Sequence, residues 1–325
     1  MKQILVTGGC GFIGRHCVVE LIKNSYHVII VDNLINSSIT ILDHIKTITL
    51  QKPLFYQCDV TNYIALNQIF NNHHIDAVIH LAGHKSVSES IDDPLKYYDN
   101  NVGGLLTLLK CMKNHCVTKI IFSSSATVYG NPKKLPITEE DDIQILNPYG
   151  QSKYISELIL KDTIDTVIIL RYFNPVGGYP LLGENSTRIT TNLFPVIMSV
   201  LNKEKSFVDI FGSNYNTHDG TAIRDYIHVV DLAKAHVKAL QYNQSHVFNL
   251  GTSKGYTVLE IIKEFESYTN TKINYELKNR RLGDAEIVYA NYDKASQLLD
   301  WRPELDLKTM VKDTVLANIK YNLLK

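Results

Sequence analysis

The sequence lacks an excess of either charge and lacks any long apolar run. Its 325 residues contain 33 Lys+Arg and 33 Asp+Glu, so the formal net charge is zero and no nucleic-acid partner is expected. No apolar stretch approaches the roughly 18 residues of a membrane-spanning helix, and the first predicted strand begins at Lys2, which leaves no room for a signal peptide. We therefore expect a soluble, cytoplasmic protein that does not associate with membranes.

Cysteine is also scarce, and its spacing excludes the common metal-binding motifs. The five cysteines form no Cys-x-x-Cys pair, and Cys10, Cys17 and Cys58 lie in apolar or glycine-rich stretches typical of small buried thiols. Cys111 and Cys116 flank a single histidine, but one helix and its end cannot supply a tetrahedral site. We therefore predict reduced thiols and no metal site.

What the sequence does contain is an alternation of short apolar strands with helical stretches. Such alternation predicts right-handed crossovers and hence an α/β fold with a Rossmann-like, doubly wound parallel sheet. The predicted strands cover residues 3–6, 27–31, 54–58, 77–80, 119–122 and 167–170.

The second half of the chain is less regular. A stretch rich in glycine, proline and polar residues, 177–188, predicts a surface loop. We expect a first domain over 1–174 and a smaller α/β domain over 175–325, with some of its chain returning to the first. Its predicted helices and strands are helices 191–203, 229–241 and 258–268 and strands 208–211 and 247–250.

A glycine-rich turn follows the first strand and opens the first helix. Gly8, Gly11 and Gly14 depart by one place from the commonest dinucleotide-binding spacing but keep its physics, in which backbone approaches a pyrophosphate closely and the helix packs on the sheet. The helix that begins near Phe12 would direct its free N–H groups at the phosphates. Asp32 ends the next strand, where a carboxylate accepts from a ribose 2′-hydroxyl and repels a 2′-phosphate. This context favours NAD over NADP, although a glycine triplet alone can mark a plain turn and Asp32 alone a helix cap.

Two later strand ends add candidate residues, because ligands of open α/β sheets lie at the carboxyl ends of the strands. Asp59 and Val60 follow the third strand, where they would edge an adenine. The stretch 81–85 follows the fourth strand, with Lys85 near the cofactor or substrate. Two histidines straddle this fourth strand end, but they have no acidic partner in register and do not predict a metal.

A hydroxyl cluster ends the fifth strand, and the next helix begins Pro-Tyr-Gly-Gln-Ser-Lys. Tyr149 and Lys153 are four residues apart and therefore share one helix face. A lysine cation favours the phenolate, so we expect the pKa of Tyr149 to fall from about 10 toward neutrality and the phenol to become a general base. A surface Tyr–Lys pair without function is the alternative that the spacing alone leaves open.

Ten segments of the chain carry a resemblance when they are read in order. They are GGCGFIG, DNLINS, HLAGHKSVSES, YYDNN, FSSSATVYG, NPYGQSK, RYFNPVG, RDYIHVVDLA, FNLGTSKGYTV and RRLGD. Together they resemble the UDP-glucose (UDP-galactose) 4-epimerases of the extended short-chain dehydrogenase/reductase superfamily. The resemblance runs from Met1 to about Trp301, and SSSATVYG, RYFNPVG and RDYIHV are its most specific motifs.

The resemblance implies a reaction that needs a tightly bound NAD. The cofactor accepts a hydride from C4 of a UDP-hexose and returns it to the opposite face, while Tyr149, directly or through Ser125, moves the proton of the 4-hydroxyl. Lys153 would hold the nicotinamide ribose. Sugar-nucleotide dehydratases of the superfamily carry an acid just after the Ser/Thr of the hydroxyl cluster, where this chain has Ala126. The alanine favours epimerisation over elimination.

The same resemblance implies a set of cofactor contacts, in which Tyr172 and Phe173 line the nicotinamide unless they are plain core residues. The cofactor-binding residues implied are Gly8, Gly11, Phe12, Ile13, Gly14, Asp32, Asn33, Asn36, Ser37, Asp59, Val60, Leu81, Ala82, Gly83, Lys85, Asn100, Ser123, Tyr149, Lys153, Tyr172 and Phe173.

A second implied set would bind the UDP-sugar, with arginines paired to the diphosphate and Asp284 accepting from the uridine ribose. Arg280, by contrast, is expected to be a solvated surface charge. The substrate-binding residues implied are Lys85, Ser125, Tyr149, Asn174, Asn192, Leu193, Phe211, Arg224, Tyr226, Arg281, Asp284 and Val288.

Two departures from the family pattern affect the substrate assignments. The loop between Tyr179 and Thr191 is shorter than in many such epimerases, which weakens the placement of Asn192 and the residue after it. Val288 stands four residues after Asp284, at the position where a large aromatic excludes N-acetyl sugars from the family's pocket. Because valine is smaller, we predict activity on UDP-GlcNAc and UDP-GalNAc as well as on UDP-glucose and UDP-galactose.

Other functions on the same fold stay open at this point. They are a 4,6-dehydratase, a C6-oxidising sugar-nucleotide enzyme, and a non-catalytic NAD-sensing protein. None of the five cysteines lies near the Tyr–Lys helix in sequence, which argues against the C6-oxidising enzyme. The resemblance also implies a homodimer through helices near 94–113 and 147–163.

Overall fold

A computed structural model describes residues 1–184, 192–281 and 284–323. The strands are β1 (Gln3–Thr7), β2 (His27–Asp32), β3 (Leu54–Gln57), β4 (Ala77–His80), β5 (Lys119–Ser125), β6 (Thr166–Tyr172), β7 (Asn174–Val176), β8 (Val208–Phe211), β9 (Ile223–His228), β10 (His246–Leu250), β11 (Gly255–Thr257), β12 (Tyr275–Lys278) and β13 (Ile287–Val288).

The helices cover both faces of the larger sheet and the outer side of the smaller unit. They are α1 (Phe12–Lys23), α2 (Ile41–Thr49), α3 (Tyr63–Asn72), α4 (Val87–Asp92), α5 (Pro94–Tyr97), α6 (Gly104–Asn114), α7 (Pro148–Thr163), α8 (Leu193–Leu201), α9 (Val229–Gln241), α10 (Val258–Thr269), α11 (Asp293–Leu299) and α12 (Leu307–Leu323). A π-helical segment, Tyr98–Gly103, joins α5 to α6, and a 3₁₀ turn, Ala126–Tyr129, follows β5.

Seven parallel strands form the main sheet in the order β10-β6-β5-β4-β1-β2-β3. The chain leaves β1 toward β2 and β3 and then returns to place β4 on the other side of β1. This reversal is the switch point at which open α/β sheets bind ligands. The predicted Rossmann-like, doubly wound fold is confirmed.

The strands of this sheet are nearly continuous apolar runs because helices bury both faces. One core lies against α1, α2 and α9, and a second lies against α3 and α6. β10 and α9 come from beyond residue 174, so part of the second half does complete the first sheet. The domain boundary at 174 stays a prediction.

The smaller unit contains a sheet in the order β11-β9-β13, with β7 also paired to β9, and a separate β8–β12 pair. Its own apolar core lies under α8, α10 and α12. The helix predicted over 191–203 spans Leu193–Leu201, and residue 191 lies outside the described residues, as do 185–188 of the predicted loop. None of the described helices is long and apolar enough to cross a membrane.

β5 is three residues longer than predicted, which places the hydroxyl cluster on a strand. Ser123, Ser124 and Ser125 continue the pairing with β6, opposite Leu170, Arg171 and Tyr172. Serine has little intrinsic preference for strands, but the ladder to a buried neighbour overrides that weak preference. The backbone of the three serines is therefore fixed by the strand pairing, which places their hydroxyl groups at the carboxyl edge of the sheet.

Candidate functional site

The glycine turn after β1 is a cradle in which side chains cannot fit. Gly8 has a φ of +70°, and a Cβ at this position would lie 2.7 Å from the backbone N of Ala82. A Cβ on Gly14 would lie 2.1 Å from the carbonyl oxygen of Gly8. α1 begins at Phe12 with no acidic residue in its first turn, so its free N–H groups present only positive partial charge. The arrangement fits a pyrophosphate.

Asp32 ties the end of β2 to the glycine turn. Its carboxylate accepts from the backbone N of Cys10 at 3.0 Å, from the backbone N of Leu34 at 2.8 Å and from Ser37 Oγ at 3.1 Å. These contacts fix the carboxylate at the strand end where a ribose would lie. Asp59 is held in a similar way and accepts from Asn33 Nδ2 at 2.8 Å.

A cleft opens along this edge of the sheet, between the loops that follow β1, β2, β3 and β4. Among its lining residues are eleven that the sequence predicted to contact the cofactor: Gly8, Gly11, Asp32, Asn33, Asn36, Ser37, Val60, Leu81, Ala82, Gly83 and Asn100. The cleft is also lined by residues that the sequence did not indicate, which are Val31, Ile35, Cys58 and His84. Phe12, Ile13, Gly14 and Asp59 support the cleft from the turn and the strand end rather than line it.

Asn101 is a structural residue of the site that the sequence analysis missed. Its Oδ1 accepts from the backbone N of His84 at 2.8 Å, and its Nδ2 donates to the His84 carbonyl at 3.1 Å and to Ser152 Oγ at 3.0 Å. It therefore fastens the loop after β4 to the helix that carries Tyr149. The YYDNN segment signals both asparagines: Asn100 lines the cleft, and Asn101 is buried in the π-helical segment.

The predicted catalytic residues meet at the end of β5. Asn147 caps α7 by accepting from the backbone N of Gly150 at 2.8 Å, and Pro148 occupies the first helical turn. Tyr149 and Lys153 then face the sheet and are both buried. The Lys153 ammonium donates to the carbonyl oxygen of Ser123 at 2.7 Å and lies 6.0 Å from the centre of the Tyr149 ring.

The expected lowering of the Tyr149 pKa is wrong. Burial raises the pKa of Tyr149 above its ordinary value, and only a hydrogen bond with Ser125 opposes this. Burial also lowers the pKa of Lys153 to about 8, against the nearby carboxylate of Glu157, which raises it. The sequence reasoning counted the charge of the lysine but not the loss of water around both groups.

Tyr172 and Phe173, predicted to line the nicotinamide, are both buried. The hydroxyl of Tyr172 lies 2.5 Å from Nε2 of His236, and burial raises its pKa well above the ordinary value. Phe173 packs against Val128 and Tyr129 in a small cluster behind the hydroxyl strand. These contacts are those of core residues, and a role beside the nicotinamide stays a prediction.

Several of the predicted substrate ligands lie on or beside the smaller sheet. Arg224 donates to Asp284 Oδ1 at 3.1 Å and also to two backbone carbonyls, so the two predicted ligands hold each other. Val288 lies opposite Arg224 in the β13–β9 pair, and Asn174 lies opposite Tyr226 in the β7–β9 pair. One face of β9 and its neighbours therefore organises this part of the site.

The two consecutive arginines stack on aromatic rings. The guanidinium of Arg281 lies 3.7 Å from the centre of the Phe211 ring, which places two predicted UDP ligands in contact. Arg280 is exposed, as expected, but it also stacks on Tyr215 at 3.9 Å and donates to Asn214 Oδ1 at 2.7 Å. The next two residues of the RRLGD motif, 282 and 283, lie outside the described residues.

Glu184 joins two predicted ligands across the site. Its Oε1 accepts from Lys85 Nζ at 3.1 Å and from Asn192 Nδ2 at 2.7 Å. Leu193 begins α8 directly after Asn192 and packs against the core of the smaller unit. Thus Lys85, from the loop after β4, and Asn192, from the second half, converge on one carboxylate.

The fold and this geometry have clear counterparts among known proteins. A family model described as GDP-mannose 4,6 dehydratase matches residues 5–314. The UDP-glucose 4-epimerase of Haemophilus influenzae is 47% identical over 323 residues, which cover 96% of each chain.

Solved structures agree with the sequence comparisons. The structure of the Bifidobacterium longum UDP-glucose 4-epimerase in complex with NAD+ and UDP is 45% identical, with a TM-score of 0.96 and 99% of each chain covered. The UDP-Glc/GlcNAc 4-epimerase of Campylobacter jejuni is 32% identical, with a TM-score of 0.85 over 99% of this chain and 100% of that one. The family predicted from the ten sequence segments is confirmed, and the chain belongs to the UDP-glucose 4-epimerases.

Proposed function

We propose that this chain interconverts UDP-glucose and UDP-galactose by transient oxidation at C4, with Tyr149 as the acid–base group. The observation that carries the proposal is the meeting of Tyr149, Lys153 and Ser125 at the carboxyl end of β5, two strands from β1 and its glycine turn in the same sheet. Ligands of doubly wound sheets lie at this edge. The family membership of the chain supports the same reaction.

NAD is the cofactor that the cradle and the strand ends fit. The glycine turn leaves room for a pyrophosphate, and the Asp32 carboxylate suits a free 2′-hydroxyl rather than a 2′-phosphate. When bound, NAD supplies the hydride acceptor and a positive ring charge that favours the Tyr149 phenolate. The remaining steps belong to side chains of this chain.

Tyr149 takes the proton of the sugar 4-hydroxyl and returns it after the sugar has rotated to present its opposite face. The Ser125 hydroxyl lowers the pKa of Tyr149 and shares this proton path. Lys153 orients the nicotinamide ribose and, as a cation, favours the phenolate. Arg224, Arg281 and the other predicted UDP ligands hold the nucleotide while the hexose presents either face.

The experiment begins with release of the cofactor from purified protein by denaturation, followed by identification as NAD or NADP. The undenatured protein is then supplied with UDP-galactose, and formation of UDP-glucose is followed. We expect close to one NAD per chain and turnover without added cofactor. Protein that holds NAD but interconverts neither sugar would rule out the epimerase and favour a non-catalytic NAD-binding role.

Elimination of water is the competing chemistry, because the matching family model carries a dehydratase description. A dehydratase of this superfamily needs an acid beside the active hydroxyl, and Ala126 follows Ser125 here. We therefore expect no 4-keto-6-deoxy product. NMR of the product mixture distinguishes the two reactions, since the deoxy sugar has a methyl signal at C6.

We infer that the hexose pocket also admits N-acetyl sugars. Val288 is only partly buried and packs near Tyr129 and Phe173, where a side chain larger than valine would take up room beside the predicted sugar position. The Campylobacter relative acts on both Glc and GlcNAc forms, which supports this breadth. Incubation with UDP-GalNAc should yield UDP-GlcNAc; no conversion after long incubation would contradict the inference.

A homodimer is the assembly that the surface supports. Leu95 (72% exposed), Ile91 (53%), Leu158 (43%) and Leu106 (42%) leave apolar surface on α5, α4, α7 and α6, the region where the predicted interface lies. Burying such a patch against a second copy would remove it from water. Light scattering should give twice the chain mass of 36.9 kDa, and Leu95→Glu should shift it to the monomer. A monomeric native protein would contradict this assembly.

We place the enzyme in the cytoplasm, where thiols stay reduced. All five cysteines are free in the structure, and four of them are buried. Fractionation of cells that express the chain, followed by detection in each fraction, tests the location.

A further inference from the structure

A buried ion pair lies directly behind the predicted catalytic residues, and the proposed reaction does not use it. Glu157 follows Lys153 by one helical turn on α7 and is fully buried, and its partner Arg171 lies on β6. Arg171 donates from Nη2 to Glu157 Oε2 at 2.6 Å and from Nε to Oε1 at 3.0 Å. A buried pair of this kind gains little stability over apolar side chains, so stability alone is a weak reason for its presence.

Glu157 also holds the strand that carries the hydroxyl cluster. Ser124 Oγ donates to Glu157 Oε1 at 2.5 Å. The neighbours of Ser124 both belong to the predicted site, because the carbonyl of Ser123 accepts from the Lys153 ammonium and the Ser125 hydroxyl lowers the pKa of Tyr149. One carboxylate thus connects the end of β5 to the catalytic helix.

The far side of the pair is fixed as well. Arg171 Nη1 donates to the hydroxyl of Tyr129 at 2.8 Å, and that hydroxyl donates to Asn249 Oδ1 at 2.7 Å. Asn249 in turn donates from Nδ2 to the carbonyl of Ile137 at 3.0 Å. A buried network in which each group has a partner is rigid, so Glu157 has one orientation.

The charges around Lys153 explain why this carboxylate matters to the lysine. His80, on β4, is held neutral because burial lowers its pKa to about 3, and burial raises the pKa of Tyr149. Arg171 lies beyond Glu157 and brings a positive charge. Glu157 is the group that raises the pKa of Lys153 against the burial that lowers it to about 8.

We propose that Glu157 is a positioning residue for epimerisation, which lies one helical turn after Lys153 and holds the end of β5, with Ser125, against the helix that carries Tyr149. This inference rests on the proposed function. It predicts that Glu157 affects the pH dependence of turnover as well as its rate.

The test compares Glu157→Gln with Glu139→Gln over a range of pH. The proposed reaction uses Lys153 as a cation, so kcat should decline on the alkaline side as the lysine loses its proton. Loss of the Glu157 carboxylate lowers the pKa of Lys153 and should move this decline to lower pH by about one unit. Glu139 is the matched control, because its Oε1 accepts from the backbone N of Asn249 at 2.6 Å, in the same network but away from the lysine. The decline should stay in place in Glu139→Gln.

Two further variants keep the inference testable if Glu157→Gln does not fold. Glu157→Gln with Arg171→Met removes both buried charges and should show a smaller shift in the same direction. Ser124→Ala removes only the strand contact and should lower kcat at all pH values while leaving the alkaline decline in place. Thermal unfolding and bound NAD are measured for each variant to show that it is folded.

The inference is overturned if a folded, NAD-containing Glu157→Gln or double variant keeps the wild-type alkaline decline, or if Ser124→Ala keeps the wild-type kcat. A wild-type protein that binds NAD but has no epimerase activity would instead refute the proposed function. The two failures are therefore distinguishable.

Discussion

The cofactor half and the substrate half of the site differ in the groups that form them. The cofactor half consists of backbone and buried groups, namely a glycine turn with no room for side chains and an Asp32 carboxylate held by three hydrogen bonds. The substrate half consists of partly exposed side chains that hold one another, as in the Arg224–Asp284 pair and the Arg281–Phe211 stack. Rigid backbone suits a ligand that stays, whereas paired side chains can exchange partners with a ligand that leaves.

The largest effect on the cofactor half is expected from a side chain added to the glycine turn. In Gly14→Ala the new Cβ would lie 2.1 Å from the Gly8 carbonyl oxygen, so the turn must move away from its pyrophosphate-binding shape. We expect loss of bound NAD and therefore of all turnover. Gly103→Ala is the matched control, because its Cβ would meet no atom closer than 3.9 Å. Equal NAD content in both variants, measured after denaturation, would contradict the rigid cradle.

Removal of the proposed base should separate chemistry from binding. Tyr149→Phe keeps the ring and its packing but removes the proton carrier, so turnover should fall by roughly two to four orders of magnitude. UDP affinity, measured by calorimetry, and bound NAD should stay near wild type. Full activity in this variant would show that another group moves the proton.

The stacked arginine offers a test of the substrate half alone. Arg281→Ala removes the guanidinium next to Phe211 and should raise the KM for UDP-sugars by about tenfold, as expected for loss of a charge-assisted phosphate contact. NAD content should not change. Arg280→Ala, which removes the exposed neighbour stacked on Tyr215, is the control with an expected change below about twofold. If both variants behave alike, the assignment of Arg281 to the diphosphate is wrong.

The smallest effect on turnover of UDP-galactose is expected from a substitution of Val288, which lies beside the predicted sugar position. Val288→Tyr should change kcat for UDP-galactose by only about threefold or less, because the smaller sugar leaves room. Turnover of UDP-GalNAc should fall to background because a large ring takes the space of the N-acetyl group. A competition assay with both sugars in one tube measures the ratio of their turnover rates directly. An unchanged ratio would show that Val288 does not control access of N-acetyl sugars.

Much of the cofactor half follows from the sequence because it depends on local patterns. Apolar runs gave the positions of the strands, and the ends of β1, β2 and β4 gave the candidate residues of the cleft. The Tyr–Lys spacing likewise placed both side chains on one buried face of α7. These are features that short-range geometry decides.

The features that the sequence did not give depend on contacts between distant segments. Asn101 is buried in a π-helical segment, and its partners His84 and Ser152 stand 17 and 51 residues away in the chain. The pKa of Tyr149 rises because burial, which is a property of the folded site, outweighs the lowering by Ser125. The partners of Glu157 stand 33 and 14 residues away in the chain, on two different strands.

The position of β10 has a consequence for folding of the chain during its synthesis on the ribosome. β6 pairs with β10, whose last residue is Leu250, and α9 covers α1 from the same late part of the chain. Until that segment has been synthesised, β6 is an open strand edge and part of the first apolar core is bare, both of which invite association with other chains. The dinucleotide fold therefore cannot close when its first 174 residues have emerged, and it must wait for the start of the substrate half.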